Sequence, residues 1–366
     1  MKRVLIVDAF QGLGGEEAIA YKIYSAIDRS KFEVYLAGPQ DSSYLEKFPP
    51  ENSHWMKFNP KGKFNFRRMY TFRKLVIENN IDIVNVHGYS AGFFVRVSLA
   101  GLHNVKVFWT MHLDISSVSS MNIYKRHIAT ILENHLNNSL FFTDEIIAVS
   151  KESRDKLIDR GVEKVPIEVI HNGIDCNRFK KSHLFSQKGI SIGFIARLSV
   201  QKNVSFVIEI AKRLASENFD FHLYIAGDGE LREKVESEIR EYNLEDRVIL
   251  LGFRKDVREV FELIDVVILP SLYECFPVVI LESLSAGIPV IASNVNGIPE
   301  QLVNEKSGYL INPNDLDSMI HYIKKYSSDI SLAKEHGFFG RKYVRDNFSI
   351  DKMIDSYNSI FDKGQI

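Results

Sequence analysis

The sequence predicts an α/β protein with two doubly wound, parallel-sheet domains that face each other across a cleft. Short β-branched runs alternate with segments of helical periodicity, which is typical of parallel strands covered by helices. The alternation stops at a polar stretch around residues 177–188 and starts again with a new strand. A chain of 366 residues is also long enough for two cores of ordinary size.

The first domain is predicted to begin with a strand at Val4–Val7, because an unbroken apolar run suits a strand buried on both faces. Ile19, Ile23 and Ile27 then recur at helical spacing and predict the first helix. Later strands are predicted at 32–36, 81–86, 105–110 and 145–149.

The second domain repeats this pattern. Its strands are predicted at 190–195, 221–226, 247–251, 266–269 and 289–292. Ligands of doubly wound sheets bind beyond the carboxyl ends of the strands, so we expect the site in the cleft between the domains.

Composition excludes several classes of protein. The net charge of −1 gives no reason to expect a nucleic-acid partner. Two cysteines, Cys176 and Cys275, are too few for a disulfide framework or a zinc site. The N-terminus does not resemble a signal peptide, and no apolar run reaches the length of about 18 residues that spans a membrane. We therefore expect a cytoplasmic protein.

A glycine-rich loop, Gly12-Leu-Gly-Gly15, follows the first strand. Glycine allows a close backbone approach to a ligand, and a helix N-terminus favours an anion. A dinucleotide fingerprint would have glycine where Glu17 stands and an acidic residue after the second strand, which ends in Ala37-Gly38. These departures argue against a nicotinamide cofactor. A tight turn without a ligand is the alternative.

Arg197 and Lys202 follow the first strand of the second domain. Two cations at a strand end could bind a diphosphate, although a solvated surface pair would give the same pattern. The next strand is followed by Gly227-Asp-Gly, which by itself indicates a turn or a helix cap.

Glu274 and Glu282 lie in the segment PSLYECFPVVILES. Pro277 suits the first turn of a helix that ends at Gly287, and neither Cys275 nor Phe276 is a usual capping residue. The free N–H groups of this helix could bind an anion or a hydroxyl, and the two carboxylates could accept hydrogen bonds from sugar hydroxyls. Alternatively, Glu282 satisfies a buried arginine and Glu274 is a solvated loop acid.

Together these residues resemble the family-four retaining glycosyltransferases of the GT-B fold, which has two Rossmann-like domains. The Glu-x₇-Glu segment is the most specific part of the resemblance, which covers nearly the whole chain. It is supported, in order, by the motifs GGEE, VSKES, VIHNGID, GFIARLSVQKN, IAGDGE, LGF and NGIPE. The resemblance implies domains at 1–178 and 179–349, with a C-terminal helix at about 350–366 that returns to the first domain.

The resemblance also implies roles in a site for a nucleotide-sugar donor. Arg197 and Lys202 would neutralise the diphosphate, Glu282 would hold the ribose, and Glu274 would hold the donor sugar. His112 would line the sugar site near the reacting carbon, with a hydrogen bond to backbone as the simpler alternative. His87 would be structural or lie on the acceptor side. The other donor-binding residues implied are Gly14, Gly15, Gly227, Phe253, Arg254, Phe276, Pro277 and Val278. Cys275 departs from the usual glycine and leaves the identity of the sugar open.

The implied activity is transfer of a hexose from a nucleotide-diphosphate sugar, with a uridine donor as the commonest case, to a saccharide or polyprenyl-linked acceptor. Cell-surface polysaccharide biosynthesis is the expected setting. Fixed cations can stabilise the leaving diphosphate, and Asp315-Leu-Asp317 looks like a helix start rather than a metal signature. We therefore expect neither a metal nor a cofactor.

The segment 57–74 carries seven basic residues and no acid, interleaved with aromatics. Such segments favour anionic membrane surfaces, which makes peripheral binding at the inner face of the cell membrane one expectation. An ordinary solvated helix covering the first sheet is the other.

Two other functions compete with transfer. A sugar-nucleotide epimerase or hydrolase of GT-B shape would need acid and base groups aimed at the sugar or at water. A non-catalytic nucleotide-sugar-binding subunit would not need all of His112, Arg197, Lys202, Glu274 and Glu282. Consumption of the nucleotide sugar with and without acceptor distinguishes the three.

Overall fold

The computed structural model describes residues 1–8, 14–39, 55–58, 65–114, 122–179 and 189–363. The chain forms two compact units: unit 1 is Met1–Gly173 with Ile350–Ile366, and unit 2 is Ile174–Ser349. The last helix is therefore part of unit 1. The chain passes into unit 2 at Ile174, before the 178/179 boundary expected from the sequence.

Unit 1 contains a seven-stranded parallel sheet in the order β3-β2-β1-β4-β5-β6-β7. Its strands are β1 (Lys2–Val7), β2 (Phe32–Gly38), β3 (Trp55–Lys57), β4 (Ile83–His87), β5 (Lys106–Met111), β6 (Glu145–Ala148) and β7 (Ile167–Val169). Its helices are α1 (Gly15–Ala26), α2 (Phe66–Glu78), α3 (Tyr89–Leu99), α4 (Ile123–Asn137), α5 (Lys151–Asp159) and the C-terminal α13 (Ile350–Lys363).

Unit 2 contains a six-stranded parallel sheet in the order β10-β9-β8-β11-β12-β13. Its strands are β8 (Ile190–Ile195), β9 (Phe221–Ala226), β10 (Val248–Gly252), β11 (Val266–Leu269), β12 (Val290–Ser293) and β13 (Gly308–Ile311). Its helices are α6 (Val204–Ser216), α7 (Arg232–Glu241), α8 (Arg258–Phe261), α9 (Val278–Ser285), α10 (Ile298–Gln301), α11 (Leu316–Ser328) and α12 (Ile330–Asn347).

The predicted fold class is confirmed. Both units wind outward from their first strand, and each predicted strand is present. The strands that the sequence pattern did not predict are β3, β7 and β13, all at sheet edges. Edge strands are often short, so they leave only brief apolar runs. Strand β7 has three residues and none of them is buried, whereas β13 has four residues, of which three are buried.

The winding places one switch point in each unit, where neighbouring strands lead to opposite sides of the sheet. In unit 1 it lies between β1 and β4, and in unit 2 between β8 and β11. The apolar strand residues between the helix layers form the cores; Val4, Val86 and Ile268, for example, are fully buried. The rigid sheets therefore fix the strand-end loops that carry the candidate residues.

Helix α13 completes one face of the first sheet. Its Phe361 contacts the rings of Phe32 on β2 and Phe108 on β5, with ring centroids 6.1 and 5.7 Å away. Tyr357 on the same helix is almost fully buried. Within the described parts of the chain, no helix has both the length and the apolar character needed to cross a bilayer.

Candidate active site

The switch point of unit 2 brings together two of the predicted residues. Lys202 lies in the loop after β8 and Glu274 in the loop after β11, and these strands are neighbours in the sheet. The Lys202 ammonium forms an ion pair with Oε1 of Glu274. The hydroxyl of Ser271 donates to the same oxygen at 2.8 Å. The structure therefore pairs the predicted diphosphate cation with the predicted sugar-binding carboxylate.

The Lys202–Glu274 ion pair leaves hydrogen-bonding groups of both side chains available to a ligand. Glu274 is only 6% exposed, so its charge is held largely away from solvent. Within the described residues, Oε2 of Glu274 accepts no hydrogen bond, and Lys202 Nζ bonds only to Glu274. An ammonium has three N–H donors and a carboxylate two oxygens. A phosphate could thus still bind Lys202, and a hydroxyl could still donate to Glu274.

Side-chain amides join the two loops. Gln201 donates through Nε2 to the carbonyl of Tyr273 at 3.1 Å, and Asn203 donates through Nδ2 to the carbonyl of Pro270 at 3.1 Å. Asn296, in the loop after β12, accepts from the backbone N–H of Glu274 at 3.2 Å. No role for these amides was expected from the sequence, although they lie within the motifs GFIARLSVQKN and NGIPE.

Gly227 locks the loop after β9 against the loop after β8. Its φ is +154°, and a Cβ at this position would lie 1.8 Å from the carbonyl oxygen of Ala196. The N–H of Leu198 donates to the carbonyl of Asp228 at 3.0 Å. Because the Gly227 N–H already donates to Gly252 at 2.9 Å, this glycine supports the site by lacking a side chain.

Along the sequence, Arg197 comes before the Lys202–Glu274 ion pair and Glu282 comes after it. Arg197 is exposed, and it makes no ion pair with any residue that the structure describes. Glu282 is half-buried on α9. Pro277 occupies the N-cap position of α9, one residue earlier than the first-turn position expected, and no side chain caps the helix. The helix end is therefore open, as the sequence indicated.

The remaining predicted residues of unit 2 lie after β10 and around the start of α9. Phe253 and Arg254 are exposed directly after the edge strand β10. Phe276 is buried, and its ring packs edge-on against Phe348 with centroids 5.4 Å apart. Its side chain therefore belongs to the core. Val278 is half-buried at the first position of α9.

The glycine-rich loop of unit 1 is described only from Gly14; residues 9–13 lie outside the described residues. Gly14 caps α1 and is exposed, as is Gly15. Glu16 and Glu17 stand in the first turn, where two carboxylates would compete with a bound anion for the helix end. Burial, with a smaller effect of Glu17, raises the pKa of Glu16 to about 8. At neutral pH Glu16 is therefore mostly uncharged.

His112 follows β5 and contacts His87 at the end of β4. Nδ1 of His87 and Nε2 of His112 are 2.9 Å apart, and the rings are stacked with centroids 5.2 Å apart. Burial lowers the pKa of His112 to about 3, and burial with the nearby His112 holds the pKa of His87 well below its usual value. Both imidazoles are therefore neutral at physiological pH.

Asp315 caps α11, as the sequence predicted, by accepting from the backbone N–H of Ser318 at 3.0 Å. These bonds to Ser318 lower the pKa of the Asp315 carboxyl. In the described part of the chain, no group of three or more His, Cys, Asp or Glu side chains is arranged to hold a metal ion.

Two family models match successive parts of the chain. The model for glycosyltransferase family 4 matches residues 13–178, and the model for glycosyl transferases group 1 matches residues 175–342. The chain belongs to the group 1 glycosyltransferases of the GT-B fold. The resemblance stated from the motifs is thereby confirmed, and with it the prediction that the protein is an enzyme.

Related proteins include glycosyltransferases from bacteria. An Escherichia coli protein named UDP-Gal:alpha-D-GlcNAc-diphosphoundecaprenol alpha-1,3-galactosyltransferase is 29% identical over 95% of this chain and 94% of its own length. The capsular polysaccharide biosynthesis glycosyltransferase CapM of Staphylococcus aureus is 25% identical over 61% of this chain and 62% of its own.

Solved structures share the fold of this glycosyltransferase. Sucrose-phosphate synthase from Thermosynechococcus elongatus superposes with a TM-score of 0.85 over 99% of both chains, at 17% identity. HepE of Anabaena, solved in complex with UDP-glucose, gives a TM-score of 0.84 over 99% of this chain and 100% of its own, at 19% identity.

Proposed function

We propose that this glycosyltransferase moves a sugar, with retention of configuration, from a UDP-sugar to a lipid-linked saccharide acceptor in cell-surface polysaccharide biosynthesis. The pairing of Lys202 with Glu274 at the switch point of unit 2 carries the proposal, because it puts a cation for the diphosphate in direct contact with a carboxylate that can accept a sugar hydroxyl. The name of the Escherichia coli relative supports UDP-galactose as the first donor to test and a diphosphoundecaprenol-linked N-acetylglucosamine as the first acceptor.

Negative charge develops on the bridging oxygen of UDP as its bond to the sugar breaks. Lys202 and Arg197 stabilise that charge, because preorganised cations act more strongly in a largely desolvated site than in water. Glu274 orients Lys202 and accepts a hydroxyl of the donor sugar through its other oxygen. Glu282 holds the ribose, and the open end of α9 offers N–H groups to the sugar or the phosphates.

The same chemistry supports a reaction without a metal. A lysine and an arginine can supply the charge that a divalent cation would otherwise provide. Full activity of the chelator-treated protein in metal-free buffer is the expected result. Loss of activity that returns with Mg²⁺ or Mn²⁺ would contradict metal independence.

Donor consumption decides between transfer and its alternatives. A thermal-shift screen of nucleotide sugars first identifies the donor, because a ligand of the native state raises Tm. Release of UDP is then followed with and without the lipid-linked acceptor. We expect release and product only when the acceptor is present, with the anomeric configuration of the donor kept in the product.

Each other outcome selects a different function. Release of UDP without acceptor indicates a hydrolase, and a new nucleotide sugar without release indicates an epimerase. Binding without either reaction, over a range of acceptors, indicates a non-catalytic subunit. An inverted product would contradict retention.

We further propose that unit 1 binds an anionic membrane surface, where such an acceptor is embedded. Of the basic segment 57–74, residues 59–64 lie outside the described residues. Helix α2 buries Met69, Phe72 and Val76 against the core, yet leaves Phe66 and Tyr70 exposed at 76% and 70%. Helix α4, which packs against α3, also exposes apolar side chains, namely Ile123, Tyr124, Ile128, Ile131 and Leu132.

The basic residues of α2 do not all point outward. The guanidinium of Arg73 donates to the carbonyls of Ser98 and Ala100, so it fixes α2 to the end of α3. Arg67 and Arg68 are exposed beside Phe66. Exposed aromatics between cations suit an interface with acidic lipid headgroups.

Vesicle co-sedimentation tests the membrane proposal. The double variant Phe66→Ser/Tyr70→Ser is expected to lose binding to vesicles of phosphatidylcholine with phosphatidylglycerol. Phe338→Ser is the matched control, because Phe338 is equally exposed, at 76%, on α12 of unit 2. Binding that depends neither on the acidic lipid nor on Phe66 and Tyr70 would contradict the proposal that this surface binds anionic membranes.

A further inference from the structure

A buried chain of polar side chains crosses unit 1 beneath the ends of β4 and β5. It runs from Tyr357 through Thr110, Asn85 and His87 to His112, and we call it the polar chain. The contacts are Tyr357 Oη to Thr110 Oγ1 at 3.4 Å, Asn85 Nδ2 to Thr110 Oγ1 at 2.9 Å and Asn85 Oδ1 to His87 Nε2 at 2.8 Å. The last contact is the one between the two histidines.

The strand periodicity explains how these side chains meet. Asn85 and His87 are two residues apart on β4 and so share a face of the sheet. They pair in register with Phe108 and Thr110 on β5. Helix α13 covers this face. Every member of the polar chain except His112 is almost fully buried.

The amide of Asn85 can have only one orientation. Its Nδ2 faces the backbone carbonyl of Phe108 at 3.4 Å as well as the hydroxyl of Thr110. A carbonyl oxygen only accepts, so an amide turned the other way would set two acceptors against each other in a buried site. Oδ1 of Asn85 therefore faces His87, and it can only accept.

This orientation fixes the proton on His87. Nε2 of His87 must carry hydrogen in order to donate to Asn85 Oδ1. A neutral imidazole has one N–H, and a buried imidazolium against a second histidine ring is disfavoured. Nδ1 of His87 is then a lone pair, which accepts from Nε2–H of His112.

We propose that Asn85 and His87 are positioning residues that hold His112 in its Nε2–H form, so that Nδ1 of His112 presents a lone pair to the substrate. Nothing among the described residues hydrogen-bonds to this Nδ1, and His112 is partly exposed. A lone pair recognises a hydroxyl, which donates, and rejects phosphate and carboxylate oxygens, which only accept. On the proposed function, the group recognised is a hydroxyl of the donor sugar.

The tautomers can be read in the ligand-free protein, independently of any activity. In the ¹⁵N-histidine-labelled full chain, long-range ¹H–¹⁵N spectra distinguish protonated from unprotonated ring nitrogens; His112→Asn and His87→Gln assign the signals. We expect Nε2 protonated and Nδ1 unprotonated in both rings. A protonated Nδ1 in His112 would overturn the proposal.

Two substitutions of His87 separate positioning from packing. The amide of His87→Gln can still donate to Asn85 and accept from His112, whereas His87→Leu can do neither. We expect His112 to keep its tautomer in His87→Gln and to lose it, as a mixture of tautomers, in His87→Leu. If His87→Leu does not fold, Asn85→Leu is measured in its place. An unchanged His112 tautomer in the leucine variant would overturn the positioning role.

Monodeoxy donor sugars then test the recognised group. With the wild type, one deoxy analogue is expected to have a kcat/KM about tenfold lower than that of the parent donor, which is the size of one lost hydrogen bond. In His87→Leu this ratio should be much smaller. His87→Gln should restore the discrimination. If the wild type and His87→Leu both transfer sugar and each has the same kcat/KM for all deoxy donors, the assignment to a sugar hydroxyl is overturned, although the proposed transferase activity stands.

Discussion

The strand ends of the two units are built from opposite kinds of polar group. In unit 1 the side chains at the ends of β4 and β5 are two neutral histidines in a chain of hydrogen bonds, and the acid at the start of α1 is mostly protonated. In unit 2 the loops after β8 and β11 hold an exposed arginine and a lysine that forms an ion pair with a buried glutamate.

On the proposed function, this difference follows from what each group must do. A leaving diphosphate carries full negative charge, so fixed cations stabilise it. A sugar hydroxyl is neutral, and a neutral acceptor or donor in a fixed orientation discriminates it best. The same doubly wound sheet thus supports two kinds of recognition, because the loops, and not the strands, carry the chemistry.

The largest expected effect tests the charged side of this contrast. Lys202→Met keeps the length and the apolar stem of the side chain but removes its charge. We expect kcat to fall about 10²- to 10³-fold, the usual cost of removing one preorganised group that stabilises developing charge. Lys342→Met is the control, because Lys342 is 65% exposed and, among the residues that the structure describes, pairs only with Asp346 on its own helix. Equal turnover in the two variants would contradict the role of Lys202 as a cation that stabilises the leaving diphosphate.

A second substitution tests whether the loops of unit 2 depend on close backbone packing. Gly227→Ala would place a Cβ 1.8 Å from the Ala196 carbonyl oxygen, so the two loops must separate. We expect unit 2 to lose at least about 2 kcal/mol of stability, seen as a lower midpoint in urea. Gly287→Ala shares a positive φ but has nothing within 4 Å, and should cost only about 1 kcal/mol. Equal losses would show that the backbone contact is unimportant.

A smaller effect is expected from the hydroxyl behind the ion pair. Ser271→Ala removes a buried hydrogen bond to Glu274 and is expected to lower kcat/KM about fivefold, which corresponds to about 1 kcal/mol. Ser293→Ala is the matched control, since the Ser293 hydroxyl is buried and has no hydrogen-bond partner in the described part of the chain. A larger loss in the control than in Ser271→Ala would argue against a supporting role for this bond.

A pH-dependent effect tests the neutral side. The pKa of Glu16 is raised from 4.5 to about 8 in the folded protein, so the native state holds a proton that the unfolded state releases. Stability from this group is therefore complete at low pH and is lost as pH rises from about 4.5 to 8. Glu16→Gln should match the wild-type Tm near pH 4 and exceed it increasingly up to pH 8. A constant difference in Tm across this range would show that Glu16 is charged in the folded protein.

The sequence predicted the interior of both sheets because fully buried strands leave continuous apolar runs. It did not predict β3, β7 or β13, because edge strands of three or four residues leave too little of such a run. It also predicted which loops would carry polar groups, since Arg197, Lys202 and Glu274 stand directly after apolar runs.

Partnerships within the site were beyond the sequence pattern. Lys202 and Glu274 are far apart in the chain, and only the pairing of β8 with β11 brings them together. The polar chain likewise depends on the register of Asn85 against Phe108 and on Tyr357 from the C-terminal helix. Such contacts depend on three-dimensional neighbours, about which local periodicity carries no information.

The return of α13 to unit 1 has a consequence for synthesis on the ribosome. Unit 2 is complete once residue 349 has emerged, but unit 1 still lacks the helix that carries Tyr357 and Phe361. The N-terminal half must therefore wait, with one face of its sheet only partly covered, while the later half folds. For this chain the usual order of folding during translation, from N-terminus to C-terminus, is reversed for the final step.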